Sequence, residues 1–96
     1  MNATRTIKPF DLGEIVATRG ALVAMEAAEQ HPLIFLIRHL SGDWGEVCTD
    51  DWKLNDESLV SGDRLLSAYR TNKGERIWVI SESDRSCTTL LLPDEY

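Results

Sequence analysis

The 96-residue sequence lacks several features on which large classes of protein depend. It has no apolar run near the ~20 residues that cross a bilayer, and residues 1–10 lack the apolar block of a signal peptide. It has only two cysteines and no Cys-x-x-Cys pair, which argues against a zinc module and a disulfide scaffold. We therefore expect a soluble cytoplasmic protein with no membrane partner and with inert thiols at Cys48 and Cys87.

The motifs that identify common catalytic sites are also missing. The sequence contains no glycine-rich phosphate loop, no His-Glu-x-x-His pair, no calcium-binding loop and no Gly-x-Ser-x-Gly elbow. We therefore expect no cofactor and no metal ion. This lack favours a binding protein over an enzyme.

Basic residues are scarce, since ten Lys and Arg stand against sixteen Asp and Glu, for a net charge of −6. This deficit argues against direct nucleic-acid binding, which depends on neutralising phosphates with basic side chains. The whole net charge arises in residues 43–63, called the acidic segment here, where Lys53 is the only base. Its seven acids are Asp43, Glu46, Asp50, Asp51, Asp56, Glu57 and Asp63. Such a segment favours a basic protein partner, although acids also gather at helix N-termini for structural reasons.

Apolar spacing and capping residues predict two helices early in the chain. Thr18 can cap a first helix over residues 19–29. A second helix over residues 32–40 starts with Pro32, which is favoured at the first helical position, and is followed by Gly42. Because the second helix is apolar around nearly its whole circumference, we expect it at the centre of the molecule.

A third helix is predicted from a cap at Thr49 to about residue 60, before Gly62. Its apolar side is thin and consists of Trp52, Leu59 and Val60. We therefore expect this helix to lie on the surface.

The last part of the sequence changes to the period of two that is typical of strands. β-Branched and aromatic residues mark strands near 65–69, 77–80 and 87–92, with turns at 71–74 and 82–85. We predict an α+β fold in which two or three N-terminal helices pack on a C-terminal three-stranded antiparallel meander.

The remaining N-terminal residues have weaker signals. Residues 12–17 are a further, short candidate strand. Residues 1–11 show no periodicity and are expected to form a flexible arm. The predicted organisation is therefore this arm, 1–11, followed by a single domain, 12–96.

Candidate binding residues come from the acidic segment. Its carboxylates and tryptophans could form one contact surface, in which the aromatic rings supply the apolar part. This predicted binding surface consists of Asp43, Trp44, Asp50, Asp51, Trp52 and Glu57. The alternative is that the two tryptophans cover the core, because tryptophan is largely buried on average.

A second set of candidates is catalytic. A compact ribonuclease needs an acid–base group and cations that hold phosphate, and the candidates are His39, Arg64, Tyr69 and Arg85. Against this set, a helix-terminal histidine commonly only caps or faces solvent. The neighbouring acids Glu75, Glu82 and Asp84 also balance the arginines of this region.

Several short runs between residues 12 and 96 carry a family resemblance. They are Leu12-Gly13-Glu14-Ile15-Val16-Ala17-Thr18, Gly20-Ala21-Leu22, Gly42-Asp43-Trp44-Gly45, Leu66-Ser67-Ala68-Tyr69, Ile77-Trp78-Val79-Ile80-Ser81-Glu82-Ser83-Asp84-Arg85-Ser86, Thr88-Thr89 and Leu92-Pro93-Asp94-Glu95-Tyr96. Together they resemble a family of small bacterial proteins encoded on plasmids and other mobile elements, some of which are labelled type I restriction subunits. The resemblance implies a bacterial cytoplasmic protein and no functional residues. Arg19 departs from it, since we expect proline there, and no methyl-donor motif supports the restriction label.

Three hypotheses of function follow. The first is a small non-enzymatic accessory protein of a bacterial mobile element. It would bind another protein, one with a basic surface, through the acidic segment. In one version of this hypothesis, the protein is an acidic DNA mimic that inhibits an enzyme. The second is a compact RelE- or barnase-like ribonuclease, against which the acidic charge counts. The third is a structural domain whose sheet edge pairs with a second copy.

Overall fold

The change of period along the sequence corresponds to a change of structure. In the computed structural model, which describes residues 7–96, the helices are α1 (Arg19–Ala27), α2 (Pro32–Leu40) and α3 (Thr49–Ser61). The strands are β1 (Glu14–Ala17), β2 (Leu65–Arg70), β3 (Arg76–Ser81) and β4 (Cys87–Leu91), and a short 3-10 helix (Pro93–Glu95) follows. The predicted α+β class is confirmed. No helix within residues 7–96 combines the length and the apolar character that a membrane span requires.

The sheet has four strands, in the order β1-β4-β3-β2, and it is mixed. Strands β2, β3 and β4 form the predicted antiparallel meander. Strand β1 adds to it beside β4 and parallel to it, with Glu14 opposite Cys87 and Ala17 opposite Leu90. The short candidate strand within residues 12–17 is therefore present as β1, whereas the prediction of a three-stranded antiparallel sheet is wrong in the number of strands and in the direction of one pair. A four-residue run carries no local signal for a partner near the other end of the chain, because parallel pairing requires a long crossover.

Strand β1 can lie against β4 because glycine precedes it. Gly13 has a φ of +66°, and a Cβ at this position would lie 2.4 Å from the carbonyl carbon of Ser86. Any other residue would push the start of β1 away from β4.

Helices α1 and α2 follow their predicted starts but differ in one respect. Thr18 caps α1, since its Oγ1 accepts a hydrogen bond from the Ala21 N–H at 3.2 Å. Helix α2 has the predicted bounds and begins with Pro32, but its predicted central position is wrong, because one side is exposed. The exposed aliphatic residues of that side are Leu33, Ile34, Ile37 and Leu40. In a layer of helices on a sheet, a helix contacts the sheet with one face only.

Helix α3 is a surface helix, as predicted. Its first residue is Thr49, so Cys48 occupies the capping position instead, without a side-chain capping bond. Gly62 ends the helix with a φ of +83°. The predicted apolar side is wrong at Val60, which is 76% exposed, because this position lies about 100° around the helix from Leu59.

Two clusters of buried side chains form the core. The larger one joins α1 and α2 to the sheet and includes Met25, Phe35, Tyr69 and Val79. The smaller one joins α3 to β2 and consists of Trp44, Leu59 and Leu65. Ile7 and Phe10 are half-buried against the smaller cluster, so residues 7 and 10 of the predicted arm pack on the core. Residues 1–6 of that arm lie outside the described residues.

Candidate interaction surface

Asn55, on the inner side of α3, positions this helix against strand β2. Because β2 is an edge strand, alternate backbone groups point away from β3. The Asn55 Nδ2 donates to the Leu66 carbonyl at 2.8 Å, and its Oδ1 accepts from the Leu66 N–H at 3.1 Å. The amide therefore takes the place of a neighbouring strand and holds the helix at the edge.

The segment before α3 occupies the next outward-facing groups of β2. The Ala68 N–H donates to the Trp44 carbonyl at 3.0 Å, and the Glu46 N–H donates to the Ala68 carbonyl at 2.6 Å. Gly45 lies between them at a φ of +77°, and a Cβ there would be 2.1 Å from the Ala68 oxygen. Only glycine allows this approach. We call β2, with Leu66 and Ala68 paired in this way, the closed edge of the sheet.

Four of the seven acids of the acidic segment are bonded within the fold. The Asp43 Oδ2 pairs with the Arg38 Nε at 2.7 Å. The Asp56 Oδ1 accepts a hydrogen bond from the Trp44 indole at 3.0 Å. The other two pairs are Glu46 with Arg70 and Asp63 with Ser61. These four carboxylates therefore contribute to the local structure around α3.

The other three acids, Asp50, Asp51 and Glu57, lie exposed on α3. Their carboxylates form no ion pair and no hydrogen bond with another residue of the described range 7–96. Asp50 and Asp51 lie in the first turn of the helix, where the helix dipole favours negative charge. The charge of all three acids is directed to solvent.

Two aliphatic side chains share the outer side of α3 with Asp50 and Glu57. Leu54 is 58% exposed and Val60 is 76% exposed. The helical period places positions 50, 54, 57 and 60 within one face. Leu54 was not among the predicted binding residues, although the helical period places it about 140° around the axis from the buried Leu59. We call the face of residues 50, 54, 57 and 60, together with the exposed Asp51 at its margin towards β2, the α3 surface; its members are Asp50, Asp51, Leu54, Glu57 and Val60.

The structure places the two tryptophans of the predicted binding surface on the core side. Trp44 has no exposed surface and belongs to the smaller core cluster. Trp52 is half-buried and packs against the same cluster. Both follow the alternative in which tryptophan covers the core. Asp43 is half-buried beside Arg38, so the exposed part of the predicted surface is its three acids on α3.

A cleft of about 280 Å³ adjoins the α3 surface and shares Asp51 with it. Its lining includes Leu66, Ala68 and Trp78 from the sheet, and the exposed free thiol of Cys48. Small-molecule sites commonly measure about 300–1,000 Å³. At about 280 Å³ the cleft is slightly smaller than such sites.

His39 lies near the end of α2 and has no exposed surface. Its Nδ1 is 2.6 Å from the Ser67 Oγ, and its Nε2 is 3.0 Å from the Ser81 Oγ. The Ser81 Oγ is in turn 2.7 Å from the Thr88 Oγ1, which donates to the Leu12 carbonyl at 2.7 Å. This network therefore runs from β2 through β3 and β4 to the segment before β1.

The number of hydroxyl and ring protons in this network determines which group donates in each hydrogen bond. Thr88 has one hydroxyl proton and donates it to Leu12, so Ser81 is the donor to Thr88. The Ser81 oxygen then accepts from the Nε2–H of His39. Because burial lowers the pKa of His39 and keeps the ring neutral, Nδ1 carries no proton and accepts from Ser67, while the ring proton lies on Nε2.

Burial, and to a smaller extent the nearby positive charge of Arg85, lower the pKa of His39 from its usual value to about 3. The ring packs edge-on against Phe10 and Trp44, with centroid distances of 5.6 and 5.5 Å. A general acid or base must come within hydrogen-bond reach of its substrate. The structure instead places His39 where it joins strands.

The other ribonuclease candidates are engaged within the fold as well. Arg85 donates to three backbone carbonyls near the end of α3 and in the turn after β3. Tyr69 is buried, its hydroxyl donates to the Asp43 carbonyl at 2.6 Å, and burial raises its pKa. Arg64 donates to the phenol oxygen of Tyr96 at 3.0 Å. These contacts do not gather the four candidates around a solvent-facing site.

Within residues 7–96, no group of three or more His, Cys, Asp or Glu side chains is placed to hold a metal ion. Comparison of the chain with protein-family models, with curated proteins and with solved structures finds no match.

Proposed function

We propose that this protein acts by binding another protein, and that the α3 surface is the contact. The partner presents a basic patch beside a small apolar area, complementary to the three carboxylates and the two aliphatic side chains of α3. No enzymatic step is part of this function. The sequence resemblance described above supports a bacterial mobile element as the setting of this activity.

The proposal rests on the difference between the acids of the acidic segment that are bonded within the fold and those that are exposed to solvent. Four of its acids are bonded within the fold, whereas Asp50, Asp51 and Glu57 are exposed without a partner in the described range 7–96. Exposed charge of one sign accelerates encounter with a partner of opposite sign and selects against partners of like sign. These three carboxylates therefore favour a basic protein.

Leu54 and Val60 supply the apolar part of the contact. Burial of apolar area drives association, whereas exposed charge mainly affects rate and specificity. Both side chains are more than half exposed, at 58% and 76%. The solvent side of a surface helix normally carries polar residues, and a partner that covers α3 would bury these two.

The two competing hypotheses have less support. An acidic DNA mimic must imitate a duplex with one charge per ~1.7 Å of axis, and the α3 surface offers three carboxylates. A ribonuclease would require His39, which has no exposed surface. We expect total cellular RNA to remain intact after incubation with the purified protein.

Charge reversal of the three exposed acids tests the proposal. Partners are isolated by co-purification from the host, identified by mass spectrometry, and each purified partner is titrated with the protein. The triple variant Asp50→Lys, Asp51→Lys, Glu57→Lys is expected to weaken binding about tenfold or more, because it repels a basic patch.

The matched control reverses three exposed acids outside the acidic segment: Asp11→Lys, Glu26→Lys and Glu75→Lys. Each reversal adds two charges, so both triple variants bring the net charge from −6 to zero. We expect the control to bind as the parent does. If both triple variants bound every partner with equal affinity, the proposal that the α3 surface is the contact would be wrong.

A further inference from the structure

Strand β1 forms the second edge of the sheet, and no other strand of residues 7–96 pairs with its outer side. On its inner side, the Glu14 N–H donates to the Ser86 carbonyl at 2.9 Å, and the Thr18 N–H donates to the Leu90 carbonyl at 3.0 Å. Because alternate residues of a strand face alternate sides of the ladder, the N–H and C=O groups of Ile15 and Ala17 point away from β4. We call β1, with these free backbone groups, the open edge.

The side chains of the open edge do not protect it. Ile15 is 49% exposed and Val16 is 42% exposed. Edge strands are usually blunted by charge, proline or a bulge, because a free edge can pair with another chain. Within β1 only Glu14 is charged, and no proline is present.

We propose that β1 pairs with β1 of a second copy of this chain, antiparallel across a two-fold axis, so that the two sheets become one continuous sheet. In the register that we infer, Ile15 of each copy lies opposite Ala17 of the other, and Val16 lies opposite Val16. This register uses all the outward-facing backbone groups of Ile15 and Ala17. The pairing is independent of the α3 surface.

Charge complementarity identifies a second copy as the occupant. In this register, Glu14 of one copy lies opposite Thr18 of the other, directly beside Arg19. Glu14 and Arg19 are exposed, and neither forms an ion pair within residues 7–96. Two-fold symmetry repeats this contact, so that opposite charges flank the paired strands at both ends.

The closed edge explains why the assembly stops at two copies. Its outward-facing groups at Leu66 and Ala68 are already bonded to Asn55 and to the segment around Gly45. Only the open edge can therefore pair, and a contact of one surface with itself closes into a dimer.

Sedimentation velocity over a range of protein concentrations tests this inference. The parent chain is expected to shift from one chain mass to twice that mass as the concentration rises. The Ile15→Pro variant removes an outward-facing N–H without touching the bonds to β4, and its dissociation constant is expected to rise about tenfold or more. Amide hydrogen exchange at Ile15 and Ala17 in the parent should slow with concentration over the same range.

Two charged variants test the register. Val16→Lys and Val16→Glu each place like charges opposite one another, so each alone is expected to be monomeric, and an equimolar mixture should form a heterodimer. Ile37→Lys is the control, since it charges an exposed β-branched residue on α2, outside both β1 and the α3 surface, and should leave the dimer intact. Circular dichroism verifies that each variant is folded. A parent that stays monomeric at all concentrations, or a dimer that persists in both Ile15→Pro and Val16→Lys, would overturn the proposal.

Discussion

At the closed edge, Asn55 and the segment around Gly45 occupy the outward-facing groups of Leu66 and Ala68. At the open edge, the equivalent groups of Ile15 and Ala17 have no such cover among residues 7–96. The same sheet thus has one edge that its own chain completes and one edge that it leaves available. Natural proteins usually guard their edges. An open edge in a sheet whose other edge is closed therefore indicates that the open edge pairs with another strand.

The closed edge and the α3 surface are two sides of one helix. Asn55 faces β2, whereas its neighbour Leu54 faces solvent, because consecutive residues of an α-helix point about 100° apart. The contacts that close the edge also fix the orientation in which α3 presents its carboxylates. Variants that open the edge should therefore disturb the α3 surface as well.

The largest expected effect comes from Gly45→Ala, which would break the closed edge. The added Cβ would lie 2.1 Å from the Ala68 oxygen at a φ of +77°, so the segment must move and lose its hydrogen bonds to Ala68. We expect the free energy of unfolding, measured by urea denaturation, to fall by about 3 kcal/mol or more.

Gly74→Ala is the control for this variant. Gly74 has a similar φ of +87°, but a Cβ there meets no atom within 4 Å. The expected loss is about 1 kcal/mol, from the left-handed backbone alone. If both variants lost the same free energy of unfolding, the close approach of Gly45 to β2 would not contribute to stability.

A smaller effect is expected for Asn55→Ala. The variant leaves the N–H and C=O of Leu66 without their partner behind α3, which should cost about 2 kcal/mol in the free energy of unfolding. Lys53→Ala, at an exposed position of the same helix, should change stability by less than about 0.5 kcal/mol. A loss for Asn55→Ala no larger than for this control would show that the edge does not depend on the amide.

The smallest effect concerns the network that joins the two edges. Folded His39 has a pKa of about 3, whereas the unfolded histidine titrates at its usual pKa of 6.5. As the pH falls below 6.5, the unfolded state takes up a proton that the folded state does not, so stability decreases. We expect a loss of about 1 kcal/mol in the free energy of unfolding between pH 6.5 and 5.5, measured by urea denaturation at each pH.

His39→Gln separates titration from packing. Glutamine retains a donor and an acceptor but does not titrate in this range. The variant should be less stable than the parent at pH 7, because it fills the site less well, and it should show a flatter dependence on pH. A slope equal to that of the parent would assign the pH dependence to other groups.

Much of the local structure could be predicted from the sequence. Thr18, Pro32 and Gly62 mark helix ends correctly, because capping depends on the residue itself and on its immediate neighbours. The turn at residues 71–74 likewise has glycine in the left-handed conformation, with Gly74 at a φ of +87°. These signals are local, and tertiary packing preserved them.

The candidate site was predicted only in part. The concentration of acids in residues 43–63 can be read directly from the sequence. Which of them remain exposed could not be read, because Asp43 and Glu46 find their arginine partners through loop geometry and strand pairing. The interior position of His39 was missed for a similar reason, since its partners Ser67 and Ser81 come from two distant strands.

By itself, the sequence determined the start of α1, the bounds of α2 and the end of α3 before Gly62. It also determined the meander of β2, β3 and β4 and the confinement of the net charge to one segment, because capping, periodicity and formal charge are properties of neighbouring residues. Only the tertiary structure decided that β1 lies parallel to β4, that one side of α2 is exposed and that one edge of the sheet is closed. Each of these outcomes depends on contacts between residues far apart in the chain. No local preference specifies such contacts, since their free energy arises only when the layers pack together.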